Sequence, residues 1–318
     1  MIEIFNSLTK KIKEYQNILI MSHKNTDLDG LASSIVLAKI ARKFKKESYV
    51  YINEMNETVE KVLQMFDQSL ITSNCEKFKS EETLLIVVDT NSTIYVEEEK
   101  LLDIFKHVLV IDHHNKADGY IQNAEISYVN SKLSSVIEFI VYYLRYLNFE
   151  IDENIATIML AGLEIDTNSF NLKTTPETYK AAGILIEMGA SPIAKQEILR
   201  ESRENILKRH ELLKKSYVYK EKVSICVLDD EVHTSVELAQ IADELLLFKN
   251  IEISLCIGYI SKDVIRISAR TLGNFNAQEL MSLLGGGGSV TSAATNLECS
   301  LKEAEQKVKK IVGDLIWR

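Results

Sequence analysis

The order of apolar and polar residues in the first 130 positions alternates between the period of a strand and the period of a helix. Short apolar runs typical of buried parallel strands occur at 17–21, 49–52, 84–88 and 108–111. Helical spacing of apolar residues lies between them, over 31–44 and 58–66. This alternation predicts an α/β fold with a doubly wound parallel sheet.

The pattern changes further along the chain. Strand signals are weak between 133 and 214, where helices are predicted at 133–147, 154–163, 176–188 and 204–215. Strand patterns return after about residue 216, at 217–219, 223–228, 251–260 and 264–269. Helices are predicted in the same region at 235–248, 277–284 and 302–316. We therefore predict an N-terminal α/β domain at 1–190, a helical linker at 191–215 and a smaller C-terminal α/β domain at 216–318.

Composition narrows the class of protein. The chain has 318 residues, 46% hydrophobic and 26% charged, which is typical of a well-cored globular protein and excludes a disordered or collagen-like chain. A net charge of −9 argues against wrapping long duplex nucleic acid, because each phosphate contact needs a basic side chain, but it allows a small anionic substrate. The four cysteines form no CxxC pair, which argues against disulfides and zinc.

The sequence also indicates where in the cell the protein is expected. Residues 1–13 alternate apolar and charged positions as an amphipathic helix does, unlike a signal peptide. The longest apolar stretches are too short to span a bilayer. We expect a cytoplasmic protein that does not bind membranes, and the oligomeric state stays open, a homodimer included.

Histidines and aspartates concentrate where three predicted strands end. They are His23, Asp27 and Asp29 after the first strand, Asp89 after the strand at 84–88, and Asp112, His113 and His114 after the strand at 108–111. The carboxyl ends of parallel strands lie at one edge of a sheet, and ligands bind there, so these side chains can converge. A further acidic candidate, Asp166, lies in the helical part of the chain.

So many carboxylates in one crevice would repel one another unless cations neutralise them. Mixed His and Asp ligands without Cys suit Mn²⁺ or another octahedral divalent ion. A pair of such ions about 3.5–4 Å apart would activate a bridging water and hold both oxygens of a phosphoryl displacement. The alternative is that single residues only shape turns or cap helices, as Asp29 could do for the helix predicted from about Leu31. The combination at three strand ends favours a metal site.

The motifs resemble those of the DHH phosphoesterase superfamily. The matching residues are His23-x3-Asp27-x-Asp29, Asp89-Thr90, Asp112-His113-His114 and Asp166-Thr167. That superfamily includes RecJ-like exonucleases, nanoRNases that also act on 3′-phosphoadenosine 5′-phosphate, manganese pyrophosphatases and cyclic-di-AMP phosphodiesterases. The second domain resembles the DHH-associated C-terminal domain, with Gly285–Gly288 in place of its glycine run. It is most similar to the catalytic half of GdpP-type cyclic-di-AMP phosphodiesterases.

The resemblance implies a role for each residue. One manganese ion would be bound by His23, Asp27 and Asp89, and a second by Asp29, Asp89, His113 and Asp166. The catalytic residues would be Asp89, which bridges the ions, Asp112, which orients a ligating histidine, and His114, which lies nearer the substrate phosphate. The substrate would be held by His114, Arg270, Gly286, Gly287, Gly288 and Ser289. Ser289 replaces the histidine that follows the glycines in the family, which affects substrate choice rather than metal chemistry.

The function expected from this resemblance is hydrolysis of cyclic-di-AMP and/or linear dinucleotides such as pApA to mononucleotides, with two Mn²⁺ ions as cofactors. The alternative is a nanoRNase, which acts on short oligoribonucleotides, or a 3′-phosphoadenosine 5′-phosphate phosphatase. A manganese pyrophosphatase is disfavoured by the nucleotide-like second domain. A non-catalytic nucleotide sensor is disfavoured because every expected metal ligand is present.

Overall fold

The computed structural model describes residues 1–55, 57–65, 68–116 and 119–316, and the chain divides into two compact units, Met1–Arg200 and Glu201–Arg318. The division falls inside the segment predicted as a helical linker. The helix predicted over 58–66 ends at a residue that lies outside the described part of the chain.

Unit 1 is built on a six-stranded sheet. Its strands are β1 (Asn17–Met21), β2 (Glu47–Tyr51), β3 (Ile71–Thr72), β4 (Thr83–Val88), β5 (His107–Asp112) and β6 (Ile126–Val129). The strand order is β3-β2-β1-β4-β5-β6, and every neighbouring pair is parallel. Because the order reverses at β1, a crevice is expected between the carboxyl ends of β1 and β4. The predicted doubly wound parallel sheet is confirmed.

Both faces of this sheet are covered, which explains why its strands are apolar runs. In β1, Ile18 and Ile20 pack into one core while Leu19 and Met21 pack into another. All six residues of β4 are buried. The helices of unit 1 are α1 (Ile2–Glu14), α2 (Leu28–Lys43), α3 (Glu57–Leu63), α4 (Lys100–Ile104), α5 (Val136–Leu147), α6 (Glu153–Asp166), α7 (Pro176–Glu187) and α8 (Pro192–Leu199).

Unit 2 is a smaller α/β unit with a mixed sheet. Its strands are β7 (Ser216–Tyr219), β8 (Val223–Val232), β9 (Ile253–Tyr259), β10 (Ile265–Thr271), β11 (Gly287–Gly288) and β12 (Ser292–Leu297), in the order β11-β12-β10-β9-β8-β7. Only the pairing of β8 with β9 is parallel among the pairs described. The helices are α9 (Arg203–Leu213), α10 (Ser235–Leu245), α11 (Ala277–Ser282) and α12 (Leu301–Ile316).

The segment predicted as a linker contains two helices. The helix α8 belongs to unit 1, where Ile198 joins the main core, and α9 belongs to unit 2. In the described part of the chain, no helix is both long enough and apolar enough to cross a lipid bilayer.

Candidate metal centre

The candidate centre lies at the carboxyl edge of the sheet in unit 1. His23 follows β1, Asp89 directly follows β4, and Asp112 is the last residue of β5. These three strands are neighbours in the sheet, so residues far apart in sequence meet at the reversal of strand order.

The turn after β1 presents two of the expected ligands. The carboxylate of Asp27 caps α2, because its Oδ1 accepts hydrogen bonds from the Asp29 N–H at 2.9 Å and the Gly30 N–H at 3.1 Å. The alternative that Asp29 is the cap is therefore wrong. His23 Nδ1 lies 2.8 Å from the carbonyl oxygen of Lys24, which leaves Nε2 to face Asp27 Oδ2 at 3.7 Å.

Asp29 is held by the first turn of another helix. Its two carboxylate oxygens accept hydrogen bonds from the backbone N–H groups of Val136, at 2.8 Å, and Ile137, at 2.7 Å, in α5. These N–H groups have no partner within their own helix, and the positive end of the helix dipole stabilises the anion. Asp29 is only 1% exposed, so the helix fixes its position at the base of the site.

Two glycines allow the elements around the site to approach closely. A Cβ at Gly30 would lie 2.1 Å from Ser22 Oγ, so α2 can start this close to β1 only with glycine there. A Cβ at Gly162 would meet the backbone of Leu28 and Asp29 at 3.0 and 3.1 Å. Glycine therefore lets α6, which carries Asp166 at its end, pack against the start of α2.

Asp89 lies at the middle of the cluster. Its φ of 61° is in the left-handed region, which is uncommon for a non-glycine residue and concentrates at functional sites. Asp89 Oδ2 lies 3.5 Å from His23 Nε2, and Oδ1 lies 3.2 Å from His113 Nε2. The same nitrogen of His113 lies 3.4 Å from Asp166 Oδ2 and 3.8 Å from Asp29 Oδ2.

Asp112 supports the outer histidine of the cluster. Its Oδ1 lies 2.8 Å from His114 Nδ1, and its Oδ2 accepts a short hydrogen bond from the side-chain amide of Asn91. The contact is thus with His114, the histidine expected near the substrate, whereas the resemblance implied that Asp112 orients a metal-binding histidine. His114 keeps 47% of its side chain exposed, which is the position of a group that can reach a substrate.

The electrostatics of the cluster are those of crowded carboxylates. Burial, together with the charges of Asp89 and Asp166, holds the pKa of Asp29 well above its usual range. Burial and the carboxylates of Asp27 and Asp89 raise the pKa of Asp166 to about 7, against the opposing charge of His113.

The pKa values of two imidazoles are also raised, which in their case favours the charged form. Burial opposes their protonation, but the neighbouring carboxylates raise the pKa of His113 to about 9 and that of His23 well above its usual value. Although burial would raise the pKa of Asp89, the adjacent His113 and His23 hold it far below its usual range. The raised pKa values of His23 and His113 thus have the same cause as those of Asp29 and Asp166, which is the concentration of carboxylates in a buried site.

The donor atoms fit divalent cations. Two groups of three side chains bring their ligand atoms within 4.8 Å of one another: His23, Asp27 and Asp89, and Asp29, His113 and Asp166. A third group joins Asp89 to both His113 and His114. Asp89 Oδ1 and Asp166 Oδ2 are buried and have no hydrogen-bond partner among the described residues. Buried oxygens without partners are costly, and a cation at either group would remove that cost.

The residues of unit 2 that were expected to bind substrate form hydrogen bonds within that unit. Arg270, in β10, donates from Nε to Asp243 Oδ1 at 2.7 Å and from Nη2 to Asp243 Oδ2 at 3.3 Å. The glycine run follows α11, with the Gly286 N–H donating to the Met281 carbonyl, and Gly287 and Gly288 form the short strand β11. Ser289 closes a turn with Ser292 through its hydroxyl and its N–H.

Two family models match the chain. Residues 17–163 match the DHH family, N-terminal domain, and residues 220–317 match the DHHA1 domain. The chain thus contains a DHH-family N-terminal domain followed by a DHHA1 domain. The resemblance is confirmed, and the first match contains every residue of the cluster except Asp166, which lies three residues beyond its end.

Curated relatives align with nearly the whole chain. The cyclic-di-AMP phosphodiesterase GdpP of Geobacillus thermodenitrificans (strain NG80-2) is 34% identical over 324 residues, which cover 98% of this chain and 49% of that protein. The protein of the same name from Bacillus subtilis (strain 168) is 31% identical over 326 residues, 98% of this chain and 50% of that protein. The chain spans about half the length of these relatives.

A solved structure supports the fold. The crystal structure of an exopolyphosphatase-related protein from Bacteroides fragilis matches with a TM-score of 0.83 at 19% identity, covering 99% of this chain and 96% of that chain. At this identity the likeness concerns the fold alone.

Sequence reasoning missed part of the site. Asn91, which holds Asp112 and also donates to the carbonyl of Asn115 at 3.0 Å, was not predicted to have a role. Neither were the N–H groups of Val136 and Ile137 that hold Asp29. The signal for the latter was Ser135, a preferred N-cap residue, which indicates that a helix begins there but not what its N-terminus faces.

Proposed function

We propose that this chain is a phosphodiesterase of the DHH family that hydrolyses cyclic-di-AMP and/or linear dinucleotides such as pApA to mononucleotides, using two divalent cations that we take to be Mn²⁺. The observation that carries the proposal is the pair of ligand groups on either side of Asp89, with buried carboxylate oxygens that lack partners. The names of the relatives, cyclic-di-AMP phosphodiesterases, support the choice of substrate.

The side chains divide into two metal-binding groups in this proposal. His23, Asp27 and Asp89 would hold one cation, and Asp29, His113 and Asp166 would hold the second, with Asp89 shared between them. When bound, the two cations would activate water for attack on phosphorus and stabilise the charge that develops on the phosphoryl oxygens.

The remaining polar residues act on the substrate. Asp112 accepts a hydrogen bond from His114 Nδ1, which fixes this half-exposed ring, and in the imidazolium form its Nε2–H can donate to a phosphate oxygen. In the reaction, water adds to phosphorus, the bond from phosphorus to the 3′ oxygen breaks, and that oxygen leaves with a proton. His114 is therefore placed as the group that stabilises or protonates oxygen, and Asp112 is its positioning residue.

Residues of unit 2 would contact the nucleotide. Arg270 carries a planar guanidinium suited to phosphate, and its pairing with Asp243 holds the fork in one orientation. Gly286, Gly287, Gly288 and Ser289 would contribute backbone and hydroxyl groups. The predicted cytoplasmic location and homodimer stay predictions.

The proposal is tested by a substrate panel with Mn²⁺: cyclic-di-AMP, pApA, 3′-phosphoadenosine 5′-phosphate, a short RNA and pyrophosphate. We expect turnover of cyclic-di-AMP or pApA and its loss in Asp89→Asn. Preference for short RNA or 3′-phosphoadenosine 5′-phosphate by orders of magnitude would establish the alternative enzyme. Tight nucleotide binding without turnover would establish a sensor.

A further inference from the structure

Unit 1 contains a second concave surface beside the metal centre. It is a cavity of about 450 Å³ between the segment before α5, the loop after α6 and the first turns of α7. The side chains that matter for its chemistry are Lys132, Phe170, Lys173 and Tyr179. Its size lies in the range of small-molecule sites.

One side of the cavity is aromatic. The rings of Phe170 and Tyr179 stack with centroids 5.6 Å apart and an angle of 19° between their planes. Phe170 is anchored because it packs against the main core of the unit. Tyr179 is 59% exposed, so much of its surface remains available to another planar group. Nucleobases stack on such rings with about 1–3 kcal/mol per base.

The cavity is also cationic. Within the part of the chain that the structure describes, neither Lys132 nor Lys173 forms an ion pair, whereas Lys180 on the nearby surface lies 3.5 Å from Glu177 Oε1. Two ammonium groups without an ion pair to the described residues, in a chain of net charge −9, favour an anion at this place. Lysine ammonium groups bind phosphate as point charges.

On two sides, segments that line the cavity are connected to elements that position metal-binding residues. Thr167, next to Asp166, accepts through Oγ1 a hydrogen bond from the Phe170 N–H at 3.1 Å. On the opposite side, residues 131–133 lead into α5, whose first N–H groups hold Asp29. A molecule in the cavity would therefore contact segments that continue directly into the elements holding Asp166 and Asp29.

We propose that this cavity is a nucleotide subsite, which holds one nucleoside 5′-monophosphate unit of the substrate with its base on Tyr179 and its phosphate at Lys132 and Lys173. The inference rests on the proposed function for the identity of the substrate. It adds the subsite and assigns base recognition to residues of unit 1.

The test measures binding of AMP and of adenosine to the full chain by calorimetry, which requires no turnover. Tyr179→Ala is expected to weaken both ligands about 10-fold or more, because both carry the base. Tyr179→Phe keeps the ring and is expected to bind both within about 2-fold of the unmodified chain. Lys173→Ala is expected to weaken AMP about 10-fold and adenosine hardly at all, because only AMP carries a phosphate.

The control is Lys180→Ala. Lys180 follows Tyr179 in α7 but does not line the cavity. All variants are expected to keep the same rise in melting temperature with Mn²⁺, which shows that the fold and the metal centre are intact. Equal AMP affinity in the unmodified chain, Tyr179→Ala and Lys173→Ala would overturn the subsite. If these variants lose AMP binding as expected and the unmodified chain does not hydrolyse cyclic-di-AMP, the subsite is supported and only the proposed function is refuted.

Discussion

The cluster predicts that divalent cations stabilise unit 1 strongly. Asp89 Oδ1 and Asp166 Oδ2 are buried without a hydrogen bond to the described residues, 3.2 and 3.4 Å from the same nitrogen of His113, and cations would neutralise the charge of these crowded carboxylates. Cations bind these groups only in the folded state. At a free Mn²⁺ concentration about 100-fold above the dissociation constant, each site contributes about 2.7 kcal/mol, so two sites contribute about 5 kcal/mol.

This free energy corresponds to a shift in the melting temperature of unit 1. Unit 1 runs from Met1 to Arg200, and a unit of that size changes its melting temperature by about 2–4 °C per kcal/mol. Mn²⁺ should therefore raise the transition of unit 1 by about 10–20 °C over that in EDTA. Differential scanning calorimetry measures the shift, and unit 2 serves as an internal reference because the described ligand groups all lie in unit 1.

Variants separate the two sites. Asp89→Asn should lose most of the shift because Asp89 is shared, whereas Asp27→Asn should keep about half of it. Asparagine is also a good N-cap residue, so Asp27→Asn leaves the start of α2 intact. The exposed Asp103→Asn in α4 is the matched control and should behave as the unmodified chain does. A shift below about 2 °C in the unmodified chain, or an equal shift in Asp89→Asn, would refute the reasoning.

Three further predictions concern single residues. Ser135→Ala removes the cap that accepts the Glu138 N–H at 3.2 Å, and it should lower the free energy of unfolding of unit 1 by about 1 kcal/mol in urea titrations. Burial raises the pKa of Tyr143 from 10.0 to about 12, so ultraviolet titration should find it neutral well above pH 10. Since the folded state favours the neutral phenol, this contribution to stability is present below pH 10 and is lost as the pH rises through about 12; ionisation of Tyr143 near pH 10 in the folded chain would contradict it. The buried thiols of Cys226 and Cys256 should react with a disulfide reagent only after unfolding, and rapid reaction of all four cysteines in the native chain would disprove their burial.

The fold was largely predictable because burial on both faces leaves a clear trace in the sequence. The apolar run at 17–21 matches β1 residue for residue, and the runs at 84–88 and 108–111 match β4 and β5 within one residue at each end. The helix predicted over 31–44 begins three residues earlier, at Leu28, because Asp27 caps it.

Other strands were missed for a physical reason. β12 is made of small and polar residues, so its sequence has no apolar run, and its place in the sheet depends on pairing with β10. β6 is only half-buried at the edge of the first sheet and gives an equally weak signal.

Much of the candidate site was also predictable from the sequence. Placing His23, Asp89 and Asp112 at the ends of neighbouring strands was sufficient to predict that they meet, because parallel strands share a carboxyl edge. The partners of these residues were not predictable. Whether Asp112 contacts His113 or His114 depends on side-chain geometry, and the pairing of Arg270 with Asp243 depends on the packing of α10 against β10.

The central claim, a dimetal centre that hydrolyses a cyclic dinucleotide, is tested most directly by turnover of cyclic-di-AMP as a function of Mn²⁺. The products are separated by chromatography, with EDTA and Asp89→Asn as the two negative controls. We predict that linear dinucleotide or AMP forms only with the metal ion, and that Asp89→Asn lowers the rate at least about 100-fold. Turnover in EDTA, or a normal rate in Asp89→Asn with Mn²⁺, would contradict the account.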